Sequence, residues 1–596
     1  MIQNKFFATT ALALTIGLLA GCSGSSNNAP PVTVSIIGMN DFHGNLSAPS
    51  GSVTVANSAA PAGTRVSAGG AAFLATLISN LKAQNPNTLV VSAGDMIGAS
   101  PLNSALFHDE PTIDALNAIG LDASSVGNHE FDKGSAELRR LQNGGCFPRS
   151  TDGTRGVVGV DTCMNNGTFG GAKFQYLAAN VIETSTNQTL FPSYVIRTVG
   201  GQKVAFIGLT LKDTPSVVTP AGVAGLRFTD EVETVNKLVP ELVGQGAAAI
   251  VVLVHQGGFT TASTVNDKTC PGLSGDIVNI TDRFDPRIDV VISGHTHTEY
   301  NCTRPDGKLL TQTGFYGRMV SKIDLVIDPN TNRVKSKSAN NLVTVNTGVV
   351  RDSGGAAIPL PAGVTALTPD STVAALVQRY TSLTAPITGQ VIGNLTTVVD
   401  RTQNTAGESK LGDIIADIYL NGSTGPAYGN KPAVIAFSNP GGIRNNLTNT
   451  VVTYGDLFSV MPFGNNLVTM DLTGAQILRL LEQQWEAPQP AGGRVMQVSS
   501  GFSYTWDGSK PAGAASGTGA RVVPDSIKLN GTPISMTAVY RVTMNNFMST
   551  GGDNYTVFTK GTNSQAGDLD IDAGVAYFRK LGTIPTPPQN RITRIN

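Results

Sequence analysis

Residues 290–300 read VVISGHTHTEY. Three apolar positions, Val290, Val291 and Ile292, run into Ser293 and Gly294, and two histidines follow at i and i+2, His295 and His297. The whole chain contains only six histidines. A short apolar run closed by glycine reads as a buried strand. Two imidazoles one residue apart on an extended backbone fall on the same side of it. That arrangement suits a metal ion, provided the rest of the chain supplies further ligands.

Other apolar runs end the same way. IIGMNDFHGN (36–45) delivers Asp41 and His43, VVSAGDMIG (90–98) delivers Asp95, and VVLVHQGG (251–258) delivers His255. ASSVGNHEFD (123–132) delivers Asn128, His129 and Asp132. His108, in ALFHDE, stands apart and reads as a surface residue. Ligands of α/β proteins gather at the carboxyl ends of strands, so these segments are expected to converge in space. Seven candidate ligands, Asp41, His43, Asp95, Asn128, His255, His295 and His297, exceed one tetrahedral site. They suit two ions about 3.5–4 Å apart that share a carboxylate. Mixed carboxylate and imidazole donors favour Zn, Mn, Co or Fe over Mg or Ca.

The chain has 596 residues, 40% of them apolar and 14% charged, with a net charge of −1. That length implies two large domains, and that charge gives no electrostatic reason to expect nucleic-acid binding. Lys5, the apolar run Phe6–Ala20 and the closing LLAGC read as a lipoprotein signal peptide over residues 1–22, with Cys22 lipidated. Residues 23–32 read as a polar tether. The expected location is therefore the bacterial cell envelope, on the periplasmic or surface side, with the lipid contacting membrane. Four other cysteines remain, Cys146, Cys163, Cys270 and Cys302, an even number suited to two disulfides in an exported protein. Three pairings are possible; sequence proximity favours Cys146 with Cys163 and Cys270 with Cys302.

Alternation of strand-like and helix-like stretches predicts an α/β domain over 33–348. Helical spacing covers 71–84 and 231–243. Residues 349–388 read as a Pro/Gly-rich linker followed by a helix capped by Asp370 or Ser371. A second, smaller α/β (α+β) domain is expected over 389–596, with helices in 409–422 and 473–485 and strands in 432–439, 466–472 and 539–547.

The ordered set D-x-H, G-D, G-N-H-E, isolated H and G-H-x-H resembles the metallophosphoesterase signature. Its flanks NDFHGN and GNHEFD resemble the 5′-nucleotidase family in particular. The resemblance implies a four-layer α/β/β/α catalytic sandwich and a nucleotide-binding second domain. It implies one ion on Asp41, His43, Asp95 and His297, and another on Asp95, Asn128, His255 and His295, with Asp95 bridging. It assigns His129 to the scissile phosphate and Asp132 to orienting it. In the second domain, FSNPGGIRNNL, VMPFGNNL and NNFMSTGGDNY resemble the family's nucleotide motifs. There Phe463 and Phe547 sandwich the base, Asp553 accepts from the ribose, Arg444 binds phosphate, and Asn439 and Gly442 position the nucleotide. The implied reaction is hydrolysis of nucleoside 5′-monophosphates by metal-activated water, with two divalent ions as cofactors and the nucleotide as partner. A 2′,3′-cyclic phosphodiesterase, a nucleotide-sugar hydrolase and a non-catalytic binding lipoprotein are the alternatives; no protein partner is expected. The sequence departs from the family pattern at Gly407, Lys410, Asp413 and Pro440; the Arg nearest to position 407 is Arg401.

Overall fold

Each strand-like run of the first half forms a strand in the computed structural model: Val32–Met39, Thr88–Ser92, Gln202–Thr210, Ala249–His255 and Val290–Ser293. The structure describes residues 29–596 except 50–51, 58–59, 152, 349, 352–356, 362–363, 425–427, 430 and 491. The leader, Cys22 and most of the tether lie outside the described residues.

The strands make two six-stranded sheets. In spatial order the first holds Arg333–Val343, Met319–Asp328, Val32–Met39, Thr88–Ser92, Ala123–Ser125 and Gln175–Leu177. The second holds Glu299–Thr303, Leu309–Thr313, Val290–Ser293, Ala249–His255, Gln202–Thr210 and Tyr194–Val199. Their central strands are parallel. Parallel strands are buried on both faces, which is why their sequences are almost continuously apolar.

Period-two alternation divides each strand between two cores. Val34 and Ile36, Leu89 and Val91, Val204 and Phe206, Val251 and Leu253, and Val290 and Ile292 meet in one cluster between the sheets. Their alternate neighbours turn outward. Ile37, Met39 and Val90 pack with Leu74, Ile78, Ile113 and Leu138 from helices Ala71–Gln84, Glu110–Ile119 and Ser135–Asn143. Ile207, Val252 and Val291 pack with Val235, Val239 and Ile277 from helices Glu231–Gly244 and Asp276–Arg283. Three cores between four layers make the sandwich.

Helix Ser371–Thr388 follows, and Asp370 is its cap, accepting from the Thr372 and Val373 N–H groups at 3.0 and 2.9 Å. This helix docks on the first layer: Val373 joins that core, and Tyr380 meets the Phe107 ring edge-on at 4.8 Å. The last third builds a five-stranded sheet of Gln497–Val498, Ile435–Ser438, Val539–Asn545, Asn466–Thr473 and Thr562–Leu569. Ile435 and Phe437 face helix Gly474–Glu482, whereas Ala436 faces helices Lys410–Gly422 and Asp570–Leu581.

Both disulfides follow sequence proximity: Cys146–Cys163 and Cys270–Cys302. His108 is not a surface residue. Its ring stacks on Phe147 at 3.7 Å and its Nε2 lies 3.1 Å from Asp161 Oδ2, because the disulfide-closed loop folds back over it.

Asp413 departs from the family pattern in a buried place. It is fully buried on helix Lys410–Gly422, with Oδ1 3.8 Å from Arg591 Nε. Arg591 is held by Asp417 at 2.8 Å, and Glu408 accepts the Arg591 and Ile592 N–H groups, so the C-terminal strand is tied to this helix. Burial pushes the Asp413 carboxyl up to about 8; Arg591 opposes the rise and the Glu408 carboxylate adds to it. The folded chain therefore binds more protons here than the unfolded chain between about pH 4 and about pH 8. The stability this group contributes is complete below about pH 4 and is lost as pH rises through about 8. Asp413→Asn removes that loss. Thermal unfolding over pH 4–9 is expected to show the variant gaining on wild type as pH rises, with the smallest difference at pH 4; a difference independent of pH contradicts the assignment.

Candidate metal centre and substrate cleft

The carboxyl ends of both sheets meet, and all seven candidate ligands arrive there. Asp41, His43 and His297 bring one ligand atom each within 4.8 Å of one another, and Asp95, His255 and His295 do the same. Asn128 joins the second group, its Oδ1 being 3.1 Å from His255 Nε2 and 3.0 Å from His295 Nδ1. Asp95 lies between the groups: its Oδ2 is 3.0 Å from His255 Nε2 and 3.7 Å from His43 Nε2.

The i, i+2 reading of His295 and His297 needs correcting. The strand ends at Ser293. Both histidines then adopt left-handed backbone, φ 74° and 56°, so they do not share one side of an extended segment. His295 goes to the Asp95 group and His297 to the Asp41 group. Asp41, His43 and Asp95 are also left-handed, at φ 50°, 49° and 51°. Non-glycine residues in this region are strained and persist only where their surroundings fix them. Here the fixing groups include backbone contacts between segments: the Asp41 N–H donates to the Gly94 carbonyl and the His43 N–H to the Asp95 carbonyl, both at 3.0 Å. Gly127 is required for space. A Cβ there would sit 2.2 Å from Asp95 Oδ1.

The donor set fits divalent cations. His43 Nδ1 lies 2.9 Å from the Gly98 carbonyl and His255 Nδ1 lies 2.7 Å from the Ala93 carbonyl. A carbonyl only accepts, so each Nδ1 carries a hydrogen, and in its neutral form each ring would present a bare Nε2 to a cation. His43 Nε2 faces His297 Nε2 at 3.1 Å, and His297 Nε2 is 3.3 Å from Asp41 Oδ1. Such convergence of acceptors calls for positive charge. The electrostatics express the same demand: burial opposes charge on His255, yet Asp95 drives it up to about 10. Facing imidazoles hold the Asp41 and Asp95 carboxyls well below the usual range despite burial. Burial pushes His295 down to about 3 and His297 to about 4, so both stay neutral and ligand-competent.

Glu130 is a residue the sequence reading left without a role. It is buried, and its carboxylate accepts the N–H groups of Asp95, Met96 and Gly127 at 2.9, 2.8 and 2.6 Å. Burial pushes its carboxyl up to about 8, with the nearby Asp95 carboxylate adding to the rise. It therefore ties the G-D and G-N-H-E segments together.

His129 is outside both groups. Its N–H donates to Asp95 Oδ1 at 2.8 Å and its Nδ1 lies 2.9 Å from Asp132 Oδ2. Burial opposes protonation, but Asp132 and Asp95 outweigh it and raise the imidazole above its ordinary value. A cleft of about 360 Å³ opens beside it. One wall carries Asn128, His129, Asp132 and His295; the other carries Asn439, Gly442, Arg444, Phe463, Phe547 and Asp553. The Phe463 ring stacks near His129 at 5.6 Å, and Arg444 Nη2 reaches to 3.4 Å from His43 Nε2. Pro440 sits at the first position of a one-turn 3-10 helix, where its missing N–H costs nothing. Gly442 is needed because a Cβ would come 2.8 Å from Asn439 Oδ1. Arg401 donates to the Ile443 carbonyl at 2.9 Å, next to Arg444.

Comparison with known proteins gives this geometry its family. Residues 34–299 match the calcineurin-like phosphoesterase family, and residues 391–560 match the 5′-nucleotidase C-terminal domain. The chain belongs to the 5′-nucleotidase family. A cell wall protein of Listeria monocytogenes is 30% identical over 97% of this chain and 72% of that protein. An endonuclease of Bacillus subtilis is 31% identical over 97% of this chain, which spans 42% of that relative's length. The solved structure of a 5′-nucleotidase precursor from Thermus thermophilus superposes with a TM-score of 0.71 at 26% identity, covering 95% of this chain and 100% of that one. Membership in this family of phosphoester hydrolases accounts for the pairing of a metal-competent sandwich with a second domain that closes the cleft.

Asp95→Ala is expected to lower metal content at both groups, whereas His297→Ala lowers it at one. Elemental analysis of desalted, metal-loaded protein distinguishes them. An Asp95→Ala protein with undiminished metal content refutes the central position of that carboxylate.

Proposed function

We propose that this chain is an exported, lipid-anchored phosphohydrolase that uses two divalent ions to release phosphate from nucleoside 5′-monophosphates. One observation carries the reading: the cluster of metal-competent side chains and the aromatic pair Phe463 and Phe547 open onto the same cleft. Asp41, His43, Asp95 and His297 would hold one ion, and Asp95, Asn128, His255 and His295 the other. Such ions lower the pKa of water and neutralise charge developing on the phosphoryl group.

The chain's own residues do the rest. Asp132 fixes the His129 ring through Nδ1 and favours its protonated form, leaving Nε2–H to donate to a phosphoryl oxygen. Arg444 reaches the same point from the other wall and offers a planar fork of donors. Phe463 and Phe547 supply apolar faces for the base, a mode that tolerates any base. Export and anchoring rest on the LLAGC leader and on two disulfides, which suit an oxidising compartment. Among the described residues no helix is long and apolar enough to cross a membrane.

A phosphodiester substrate is the second reading, favoured by the endonuclease name of the Bacillus relative. Phosphate release from nucleoside 5′-monophosphates, set against chromatographic detection of the phosphomonoester products of a 2′,3′-cyclic nucleotide, a nucleotide sugar and an oligonucleotide, separates the two, with and without chelator. Chelation is expected to abolish turnover, and Mn, Co or Zn to restore it; full turnover by metal-free protein sinks the reading.

His129→Ala leaves every proposed ligand in place, so kcat is expected to fall strongly while metal content holds. Phe463→Ala and Phe547→Ala are expected to raise KM for nucleotides by a stacking-sized amount, about 1–3 kcal/mol each. They should spare hydrolysis of a small aryl phosphate, which has no base. Equal loss on both substrates places the two rings in the core instead.

A further inference from the structure

Arg494 lines the substrate cleft, and no sequence motif points to it. Its Nη1 lies 3.3 Å from Asp553 Oδ1. The pair is mostly desolvated: the Asp553 side chain is 10% exposed and that of Arg494 28%. The other Asp553 oxygen, Oδ2, accepts from Asn439 Nδ2 at 2.8 Å, and Asn439 is itself held by Asn545 at 3.1 Å. The Asp553 backbone is left-handed, φ 54°, and its carbonyl accepts from Gln489 at 2.6 Å. Arg494 is anchored as firmly. Its N–H donates to the Gln484 carbonyl at 2.8 Å, and its carbonyl accepts from the Tyr555 hydroxyl.

An ionised carboxylate offers about four lone-pair sites, two on each oxygen. Asn439 uses one on Oδ2, and the Arg494 guanidinium faces Oδ1 as an ion-pair partner, so both oxygens keep acceptor capacity toward the cleft. Two acceptors on a single fixed carboxylate suit two donors on adjacent carbons. We propose that Arg494 is a positioning residue that sets specificity for substrates carrying a free vicinal ribose diol, by holding the Asp553 carboxylate through an ion pair so that both of its oxygens can accept from the cleft side. This rests on the nucleotide reading above and names the sugar it selects. Without the guanidinium, Oδ1 loses its ion-pair partner and the carboxylate can rotate about its Cβ–Cγ bond.

The test uses the metal-loaded full chain and measures kcat and KM on a ribonucleoside 5′-monophosphate, its 2′-deoxy and 3′-deoxy analogues, and an aryl phosphate. Wild type is expected to prefer the ribonucleotide over each deoxy analogue by about tenfold or more in kcat/KM, the size of a hydrogen bond to a charged group. Arg494→Gln should bring both ratios close to one, mainly through KM, and leave the aryl phosphate unchanged. Arg494→Lys keeps a cation at the site and should retain part of the preference. Undiminished ratios in Arg494→Gln overturn the proposal alone. A parallel loss of aryl phosphate turnover in both variants also overturns it, because Arg494 then supports the frame and not the sugar. Wild type that hydrolyses the aryl phosphate but no nucleoside monophosphate sinks the nucleotide reading itself.

Discussion

Everything at the centre of this molecule is arranged around a concentration of unscreened acceptors. Two carboxylates, an amide oxygen and four imidazoles meet where the two sheets end, all of them buried but His295 and His297, which are partly exposed. Transferring such groups out of water is costly unless opposite charge compensates them. The backbone adds to the cost, because Asp41, His43, Asp95, His295 and His297 are all left-handed. Strain of this kind amounts to about 1–3 kcal/mol per residue. Three apolar cores hold it in place. The sandwich is thus a frame for a constellation that would not assemble on its own, and the affinity for cations follows from that frame.

The strands were legible because parallel strands buried on both faces leave continuous apolar runs. The helices at 71–84 and 231–243 were legible from spacing, and the disulfides from an even number of remaining cysteines and their proximity. The seven ligands were legible because each lies at the end of such a run. Their partition was legible only through the family resemblance. Spacing alone treats His295 and His297 as equivalent, and only the left-handed backbone after Ser293 sends them to different groups. Glu130 was hidden for a related reason. Its partners are three backbone N–H groups, and backbone donors leave no trace in sequence. A carboxylate adjoining a G-N-H motif and destined for burial was the one available signal. His108 misled because a polar segment, HDE, was read as solvated, whereas a loop closed by Cys146–Cys163 covers it.

The second domain was harder to read because its chemistry is not at strand ends in an ordered series. Arg444 and Phe463 come from loop and turn positions, Phe547 and Asp553 from single-turn helices, and such short segments position side chains by local geometry. Gly442 makes room for Asn439, Asn439 holds Asp553, and Asp553 in turn meets Arg494. Single residues in such a relay look like ordinary loop positions. The relay is visible only once the cleft brings its members together.

The connecting helix settles where freedom between the two halves can lie. Residues 349–388 read as a linker and a connecting helix, and that helix, Ser371–Thr388, is packed into the first layer through Val373 and Tyr380. Its far end is in contact with the other half: a Cβ on Gly455 would come 2.9 Å from Thr388 Cβ. The Tyr454 N–H donates to the Gln390 carbonyl at 2.8 Å. A helix docked along most of its length moves with what it is docked on. Any relative rotation of the halves must therefore be absorbed in the few residues after Thr388, beginning at Gly389, rather than across the whole linker. A short hinge at that point would constrain such a rotation to a swing, and a swing about one end of the cleft would alter the separation of Arg444 and Phe463 from His43 and His129 while leaving the metal groups untouched, since every one of their ligands belongs to the sandwich.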